Sequence, residues 1–290
     1  MVKVTVPATT ANIGPGFDTL GLALNLYKSY TFEKISKGLI FEGCEDKYKN
    51  ENNLVYTSFK KAAEILGKSV NGLKITMDVN IPVSRGLGSS SACIVAGVFG
   101  ANSLLKGNLS KEELFKIAVD IEGHPDNVAP AVFGGLIASF VDDEVYCVKY
   151  NLNDKIKFCA LVPNFQTSTH EARKLLPSEI SFKDAVYNVS RTAVLLKALE
   201  EGDFKLINVS LHDKLHQQYR KTLIHEYDLV KKICIDNGAY AFFISGSGPT
   251  LMNIIDDSNF SEKIRDSLLD LRNKWDIKLL NTDKFGVKIQ

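Results

Sequence analysis

A loop rich in glycine and serine constrains this chain more than any other feature. Residues 82–92 read Pro-Val-Ser-Arg-Gly-Leu-Gly-Ser-Ser-Ser-Ala. The alternating residues 73–79 before the loop predict a strand, and the small apolar residues 90–105 after it predict a buried helix. Glycines let successive backbone N–H groups point into one concavity, and a helix N-terminus adds unpaired donors. The loop therefore predicts a cradle for phosphate groups.

Two common phosphate-binding motifs do not describe this loop. A Walker A loop requires Gly-Lys-Ser/Thr at a spacing that is absent here, and the dinucleotide fingerprint requires a third glycine where Ser91 stands. Considered alone, the run is equally explained as a turn of small residues that lets a helix pack closely on a sheet.

Two further glycine-rich segments change that balance. Residues 7–18 carry an amide, Asn12, and a carboxylate, Asp18, around Gly14 and Gly16, and residues 244–250 read Ile-Ser-Gly-Ser-Gly-Pro-Thr. Each has a simple structural alternative, since Asp18 could be a turn former and residues 244–250 a hairpin turn. Three separated loops of this composition in one chain are harder to explain by turns alone.

Composition narrows the class of protein. The 290 residues suffice for two modest domains or one large one, and 45% hydrophobic with 24% charged residues is typical of a globular chain. A formal net charge of +1 argues against a general nucleic-acid or anionic-membrane surface. No apolar stretch approaches the roughly 20 residues of a membrane span, and the first residues lack the apolar core of a secretory signal. The five cysteines form no CxxC pair, which predicts reduced core residues and a cytoplasmic protein.

Strand and helix patterns alternate along the whole chain, which predicts α+β layers. The short polar segment 151–155 predicts a domain boundary. Predicted strands are 2–6 (ending at Pro7), 22–32, 39–41, 73–79, 134–140, 145–150, 156–162, 240–244, 250–255 and a terminal strand. Predicted helices are 53–66, 90–105, 110–122 with a capping box from Ser110 to Glu113, 182–200, 204–215, 229–237 and a last helix before the terminal strand.

Taken together, the three glycine-rich segments resemble the GHMP kinase family, which includes galactokinase, homoserine kinase, mevalonate kinase and phosphomevalonate kinase. They occur in the family's order, at residues 4–24, 82–92 and 244–251. Glu-Gly-His-Pro-Asp-Asn-Val-Ala-Pro at 122–130 and Ser-Thr-His-Glu-Ala-Arg at 168–173, with Tyr219-Arg220, are similar to the homoserine kinase branch in particular. His170 departs from the pattern, because many relatives carry lysine there, and it is left out of the expected site.

This resemblance implies an α+β, two-domain GHMP kinase fold. Residues 1–155 would form an N-terminal ATP-binding domain like ribosomal protein S5 domain 2, and residues 156–290 a ferredoxin-like C-terminal domain. The active site would lie in the cleft between them, and the family allows a homodimer. The implied reaction is ATP-dependent phosphorylation of the side-chain hydroxyl of L-homoserine to O-phospho-L-homoserine, in threonine biosynthesis.

The resemblance also implies which residues bind ATP and Mg²⁺. Backbone N–H groups from Gly86 to Ser91 would hold the phosphates. The expected ATP-binding residues are Pro82, Val83, Ser84, Arg85, Gly86, Leu87, Gly88, Ser89, Ser90, Ser91, Ala92 and Asn53. Mg²⁺ would bind Ser90, with Ser89 as the alternative, and Glu122. Asn53 is equally explained as the N-cap of the first helix.

Homoserine is a zwitterion with a terminal hydroxyl, so its site needs an anion for the ammonium group and cations for the carboxylate. The resemblance assigns Asp18 to the ammonium group, with Asn12 and His124 in support. Arg173 and Arg220 would bind the carboxylate, because a guanidinium fork matches two oxygens. Each arginine, taken alone, is better explained as a solvated helix residue, and only the surrounding motifs favour a role in the site.

For the reaction itself, the resemblance points to two neighbouring residues. Asn127 would orient the acceptor hydroxyl. Asp126 is the tempting general base. The homoserine kinase branch is thought to work without a strong base, so the role of Asp126 stays open, and its carboxylate could equally cap a helix.

Other functions remain open from the sequence. A mevalonate-type kinase is the nearest rival, and its substrate has no ammonium group for Asp18. A serine hydrolase would use Ser90 or Ser247, although neither lies in Gly-x-Ser-x-Gly. A non-catalytic ATP or amino-acid sensor could share the fold. His212 and His216 lack the glutamate and third ligand of a zinc site, and we expect them on a helix surface.

Overall fold

Two β-sheets with helices packed against them organise the chain. The computed structural model describes residues 1–78 and 84–290. Within these residues the strands are β1 (Val2–Ala11), β2 (Leu20–Lys34), β3 (Gly38–Glu42), β4 (Gly72–Asp78), β5 (Leu136–Val141), β6 (Val145–Tyr150), β7 (Lys157–Pro163), β8 (Ala241–Ile244), β9 (Leu251–Ile255), β10 (Trp275–Leu280) and β11 (Lys288–Ile289). The helices are α1 (Leu54–Ile65), α2 (Ser89–Leu104), α3 (Lys111–Glu122), α4 (Val128–Phe133), α5 (Thr169–Lys174), α6 (Phe182–Glu201), α7 (Phe204–Ser210), α8 (Gln217–Arg220), α9 (Tyr227–Asp236) and α10 (Phe260–Leu269).

The first sheet is built around β2. Its strands lie in the order β11-β1-β2-β4-β3, and β5 pairs with both β2 and β6. β4 pairs with the far end of β2, from Ser29 onward, whereas β5 pairs with its start at Leu20–Leu22. Between these partners β2 pairs with β1 on one side, and residues 281–283 bridge to Ala23, Leu24 and Asn25.

A bulge interrupts the pairing of β1 with β2. Pro7 lies opposite Tyr27 and Ala8 opposite Leu24, so Asn25 and Leu26 are extra residues on β2. The prediction that β1 ends at Pro7 is wrong, since the strand continues to Ala11. A bulge is a place where a strand tolerates proline, because the local ladder is already disrupted.

Helix α2 packs closely against its neighbours because its residues are small. Added to Gly97, a Cβ would lie 2.4 Å from the carbonyl oxygen of Val55 in α1. Added to Gly100, it would lie 2.5 Å from the Phe32 ring on β2. This confirms the buried helix that the run of small apolar residues predicted, and it fixes the N-terminus of α2 above the sheet.

The second sheet is antiparallel throughout, in the order β10-β7-β9-β8. Helices lie in the chain between β7 and β8 and between β9 and β10. This is the strand order of the ferredoxin-like βαββαβ arrangement. The chain then returns to the first sheet, where β11 pairs with β1. The division into 1–155 and 156–290 stays a prediction, and β11 belongs by pairing to the first sheet.

Local signals predicted some elements well and missed others. The capping box at Ser110 and Glu113 is present at the start of α3. The predicted helix over 204–215 is wrong, because α7 ends at Ser210 and a new helix begins at Gln217. Asp213 causes the interruption, since its side chain accepts the N–H groups of residues 215, 216 and 217. None of the helices in 1–78 and 84–290 has the length and apolar character of a membrane span.

Candidate active site

The three glycine-rich segments meet in space. Gly246 N–H donates to the Ala11 carbonyl at 3.1 Å, Thr250 N–H to Arg85 at 3.2 Å, and Thr9 N–H to Leu87 at 3.3 Å. Residues of all three segments line one cavity of about 620 Å³. The 244–250 segment therefore supports the other two loops as well as forming a turn.

The predicted phosphate cradle at residues 84–91, called the phosphate loop from here on, is held too tightly for larger residues. Gly86 has φ +75°, and an added Cβ would lie 2.3 Å from the Ser245 carbonyl oxygen. Gly88 has φ +66°, and an added Cβ would lie 1.9 Å from Thr9 Oγ1. Both positions thus require glycine for conformation and for space.

The N-terminus of α2 opens into the cavity. Gly88 is its N-cap and has no side chain to cap it, so the first backbone N–H groups of the helix keep their capacity to bind an anion. Ser84, Arg85, Gly86, Gly88, Ser89, Ser90 and Ser91 line the cavity. Leu87 and Ala92 are fully buried behind the loop. Pro82 and Val83 lie outside the described residues.

Glu122 lies beside the start of α2. The Ser90 hydroxyl donates to its Oε2 at 2.9 Å, and the Ser91 hydroxyl donates to its Oε1 at 2.7 Å. The described residues contain no cluster of three or more His, Cys, Asp or Glu side chains for a metal. One carboxylate with hydroxyl oxygens nevertheless suits Mg²⁺, which binds few protein oxygens and keeps phosphate oxygens and water as further ligands.

Arg85 connects the phosphate loop to the second sheet. Its guanidinium donates to the carbonyl oxygens of Pro163, at 3.0 Å, and Asn164, at 3.4 Å. Burial lowers the pKa of this guanidinium. The side chain therefore ties the loop to the end of β7.

A strained loop forms the opposite end of the cavity. Asn12, Ile13 and Asp18 all have positive φ, at 71°, 34° and 51°. The Asn12 side chain donates to the Gly246 carbonyl at 2.8 Å and accepts the Asp18 N–H at 2.9 Å. Strained non-glycine residues persist where the surroundings hold them, and they are frequent at functional sites.

Asp18 and Arg173 form a bidentate ion pair at this end. Arg173 Nη1 lies 2.9 Å from one carboxylate oxygen, and Nη2 lies 3.0 Å from the other. Both side chains line the cavity. The expected anionic and cationic groups are thus adjacent and neutralise each other.

Arg220 is the most deeply buried cation of the site. Only 2% of the residue is exposed. Its Nη1 donates to the Gly246 carbonyl at 2.8 Å, and its Nε has no hydrogen-bond partner among the described residues. No carboxylate of the described residues forms an ion pair with it. Burial lowers its pKa to about 10, so it remains charged at neutral pH. An unpaired buried cation beside a cavity is suited to an anionic ligand.

Phe17 lies beneath both arginines. The guanidinium carbon of Arg220 is 5.0 Å from the ring centroid, and that of Arg173 is 5.7 Å from it. The ring stacks on His216 at 5.2 Å. Cation–π contacts of this kind favour one orientation of each guanidinium.

His216 supports Phe17 from the core. The prediction that His216 lies on a helix surface is wrong, because the side chain is fully buried just before α8. Its Nε2 lies 2.9 Å from the Gly14 carbonyl, which can only accept, so Nε2 carries the hydrogen. Burial lowers the pKa of His216 to about 4, and the ring is neutral. His212 lies in the bend between α7 and α8, also outside a helix.

Asn127, Asp126 and His124 follow α3. His124 Nδ1 donates to Asp126 Oδ1 at 2.6 Å, and this bond raises the pKa of His124. Asp126 Oδ1 also accepts the Asn127 N–H at 2.9 Å. Thr9 Oγ1 donates to Asn127 Oδ1 at 2.7 Å, which leaves the Asn127 amide nitrogen directed away from Thr9. All three side chains line the cavity between Glu122 and the Asp18–Arg173 pair.

Asn53 also lines the cavity, and its side chain already has two backbone partners. It accepts the Val55 N–H at 2.9 Å as N-cap of α1 and donates to the Tyr48 carbonyl at 2.8 Å. The structural alternative for Asn53 is thus confirmed. A role towards a nucleotide stays a prediction.

Several residues around the cavity escaped sequence reasoning. Thr9 and Phe17 lie inside the first glycine-rich segment, where a polar or aromatic residue could have been noticed. Lys28 and Thr167 line the cavity with no sequence signal, because one lies within a strand pattern and the other in a loop. His216 was considered and misplaced.

Comparison with known proteins agrees with this geometry. The family model described as the GHMP kinases N terminal domain matches residues 53–135, and the GHMP kinases C terminal model matches residues 195–271. A homoserine kinase of Clostridium botulinum is 50% identical over 292 residues, with 100% of this chain and 98% of the relative covered. A homoserine kinase of Clostridium beijerinckii is 46% identical over 293 residues, with 100% and 98% covered.

Solved structures give the same answer for the fold. A crystal structure of homoserine kinase from Cytophaga hutchinsonii has a TM-score of 0.90 and 30% identity, with 100% of this chain and 97% of that chain covered. Mevalonate kinase from L. major, at 15% identity and a TM-score of 0.76, covers 98% of this chain and 96% of its own, and shares the fold. The expected α+β, two-domain architecture is confirmed. The chain belongs to the GHMP kinase family, in the branch that contains the homoserine kinases.

Proposed function

We propose that this protein transfers the γ-phosphoryl group of ATP to the side-chain hydroxyl of L-homoserine. The product would be O-phospho-L-homoserine, an intermediate of threonine biosynthesis. Relatives that cover the whole chain at 50% identity are homoserine kinases, and the two ends of the cavity carry the groups that this pair of substrates needs.

The observation that carries the proposal is the charge arrangement at the acceptor end, defined as Asp18, Arg173 and Arg220. A buried arginine without a carboxylate partner lies beside an ion pair between Asp18 and Arg173. A zwitterionic amino acid matches it, since its ammonium group can take over Asp18 while its carboxylate binds both guanidinium groups. Asn12 holds the backbone of Asp18, and His124 lies on the same side of the cavity.

The phosphate loop and the start of α2 would bind the triphosphate. Their backbone N–H groups are rigidly placed by the contacts of Gly86 and Gly88, so they need no reorganisation during the reaction. Ser90 and Glu122 would hold Mg²⁺, which supplies neutralisation of the charge on the transferred phosphoryl group.

Asn127 and Asp126 lie between the two ends. The Asn127 amide, held by Thr9, would orient the acceptor hydroxyl, and Asp126 would hold both His124 and the Asn127 backbone. Because phosphoryl transfer depends mostly on alignment and charge neutralisation, we propose a positioning role for Asp126. Asp126→Asn should then lower kcat about tenfold and leave the shape of the pH profile unchanged. A loss of 10³-fold with the acidic limb of the profile removed would make Asp126 a general base instead.

An ADP-release assay tests the function directly. Mg·ATP is supplied with L-homoserine, mevalonate, galactose or shikimate, and we expect acceptor-dependent turnover with homoserine alone. Two truncated acceptors sharpen the test: 4-hydroxybutyrate lacks the ammonium group, and 3-aminopropanol lacks the carboxylate. Each should react at least about 100-fold more slowly, because one charge of the site is then left unpaired. Lack of turnover with every acceptor would refute the kinase.

The rival functions predict different results. A mevalonate-type kinase would turn over mevalonate and tolerate Asp18→Asn, whereas here that change should raise KM for the acceptor strongly. A serine hydrolase lacks support, because the hydroxyls of Ser90 and Ser247 contact Glu122 and Thr169 and no described histidine hydrogen-bonds to either. A sensor would bind ATP without releasing ADP.

Compartment and assembly are further parts of the proposal. All five cysteines are free thiols, which suits the cytoplasm. A homodimer is proposed from the family resemblance, and light scattering on the purified protein measures the assembly directly.

A further inference from the structure

Lys28 is a buried lysine whose charge has no partner among the described residues. It lies on β2 on the same face as Tyr30 and Phe32, whose side chains belong to the core. Only 4% of the residue is exposed. Its ammonium group lies 5.4 Å from the centroid of the Tyr30 ring and forms neither a hydrogen bond nor an ion pair with residues 1–78 or 84–290.

Such a placement leaves the ammonium group at the cavity wall without a protein partner among the described residues. A ligand that displaces water there must supply an acceptor, because an ammonium group that loses its water without compensation costs several kcal/mol. Lys28 lines the large cavity, so a molecule bound there can reach it. Lys28 is thus a hydrogen-bond donor in the cavity wall that has no partner among the described residues, and more than nine-tenths of the residue is buried.

The position of Lys28 identifies which part of the cavity it serves. Lys28 pairs with Val6, which lies three residues before Thr9 on β1. At about 3.3 Å per residue, Lys28 therefore lies about 10 Å from Thr9 along the strand direction. Thr9 holds Asn127 beside the phosphate loop. Met77 and Cys93 lie beside Tyr30, and Cys44 lies within electrostatic range of Lys28. Together with Tyr48, Leu54 and one carboxylate, Glu45, they line a mainly apolar part of the cavity, called the apolar slot.

An apolar slot at this distance from the phosphate loop suits a flat base. The Asn53 side chain, which also lines the cavity, already has backbone partners for its oxygen and for one of its amide hydrogens. Lys28 is therefore the charged donor of this slot. An ammonium group donates and cannot accept, so it matches a ring nitrogen or a carbonyl oxygen and not an exocyclic amine.

We propose that Lys28 recognises the nucleobase of the phosphoryl donor by donating an N–H to an acceptor atom of the ring. The inference rests on the proposed function, since it takes ATP as the donor. It assigns base recognition to a side chain on the sheet, opposite the phosphate loop.

Equilibrium binding of ATP without acceptor tests the assignment. Calorimetry compares the wild-type protein with Lys28→Met, which keeps an unbranched side chain only one atom shorter and removes the charge. We expect ATP to bind about tenfold or more weakly to the variant, because a hydrogen bond to a charged group contributes about 1.5–3 kcal/mol. Lys34→Met, on the exposed end of the same strand, is the matched control and should bind ATP like the wild type.

Deaza analogues identify the contact atom. Among 1-deaza-, 3-deaza- and 7-deaza-ATP, one should bind the wild type about tenfold more weakly than ATP, and Lys28→Met should no longer distinguish that analogue from ATP. Equal binding of all three analogues to the wild type overturns the proposal without any variant. The proposal is also overturned if Lys28→Met binds ATP and inorganic tripolyphosphate more weakly than the wild type by the same factor, because Lys28 would then contact phosphate.

Folding and function are separated by two further measurements. Thermal unfolding should show Lys28→Met to be at least as stable as the wild type, since an unpaired buried charge is removed. If the wild type binds ATP with this base selectivity but does not phosphorylate homoserine, the proposed function fails and the Lys28 assignment stands. If ATP binds and the analogues do not differ, the Lys28 assignment alone fails.

Discussion

The acceptor end and the phosphate loop of the same cavity are built on different principles. The acceptor end presents side-chain charges, Asp18, Arg173 and Arg220, carried by three separate segments of the chain. The phosphate loop presents backbone N–H groups from one continuous segment, and its glycines contact Ser245 and Thr9 closely. Binding at the acceptor end therefore depends on side-chain charge, and binding at the phosphate loop depends on the space that its glycines leave free.

This difference determines which substitutions each end tolerates. At the acceptor end, a change of charge at constant volume should abolish binding and leave the fold intact. At the phosphate loop, the addition of a single methyl group should be as harmful, although no charge changes. The two ends can therefore be disturbed independently, and each should affect a different substrate.

Arg220→Met should have the largest effect on activity. We expect kcat/KM for homoserine to fall about 10²–10³-fold, because a buried charge contact of 2–5 kcal/mol is lost. The KM for ATP should change less than about threefold. Thermal unfolding should occur at the same or a higher temperature, since the guanidinium is buried without a carboxylate. A destabilised variant with an equal loss for both substrates would contradict the separation of the two ends.

Gly88→Ala should weaken ATP binding about 100-fold and leave the acceptor end intact. The new Cβ would lie 1.9 Å from Thr9 Oγ1 at φ +66°. Gly67→Ala is the matched control, because Gly67 has φ +62° and nothing within 4 Å of the added Cβ. The control should lose about 1–2 kcal/mol of stability and keep its ATP affinity, as measured by calorimetry and urea unfolding. Equal ATP affinity of the two variants would show that the conformational cost alone governs the loop.

His216 should make the acceptor end sensitive to acid. Between pH 6.5 and about 4 the unfolded chain binds a proton at this residue that the folded chain does not bind. The free energy of unfolding should therefore decrease as pH is lowered from 6.5 to about 4, by at most about 1.4 kcal/mol per pH unit. His216→Gln keeps a donor for Gly14 and should remove this part of the slope in urea titrations. An unchanged slope would mean that His216 is protonated in the folded protein.

His124 provides a contrast of opposite sign. Its pKa is raised by Asp126, so its contribution to stability is complete below pH 6.5 and is lost as pH rises through the raised pKa. The difference in unfolding free energy between wild type and His124→Gln should be larger at pH 6 than at pH 9. The same difference at both values would exclude an ionic bond to Asp126.

Phe17→Leu should have the smallest effect. Loss of two cation–π contacts worth about 0.5–1 kcal/mol each should raise KM for homoserine about five- to thirtyfold, with kcat and the KM for ATP unchanged. Phe17→Tyr keeps the ring and should retain the wild-type KM. If leucine is as good as tyrosine, the ring serves only to fill space.

The sequence was informative where chemistry is local. The order of the glycine-rich segments, the capping box of α3 and the small residues of α2 all reflect backbone requirements that neighbouring residues impose. Asp18, Arg173 and Arg220 were selected by resemblance, and the structure brings them together at one end of the cavity.

Contacts between distant segments could not be predicted in the same way. The Asp18–Arg173 pair joins residues 155 positions apart, and no local pattern reveals it. His216 was misplaced because Asp213, an N-cap in the middle of an apparently helical pattern, ends the earlier helix. Lys28 was invisible because an alternating strand pattern does not reveal which face a later cavity will occupy.

The bulge in β2 has a consequence for how this cavity can change. Because alternate residues of a strand face opposite sides, the two extra residues Asn25 and Leu26 preserve the parity of Leu22, Leu24 and Lys28. Deleting one of them would turn the side chains of Lys28, Tyr30 and Phe32 to the opposite face of the sheet, so that two core aromatic residues would become exposed. Only an insertion or deletion of an even number of residues keeps Lys28 at the cavity and Tyr30 and Phe32 in the core. The length of β2 between the two substrate sites can therefore change only by even numbers of residues.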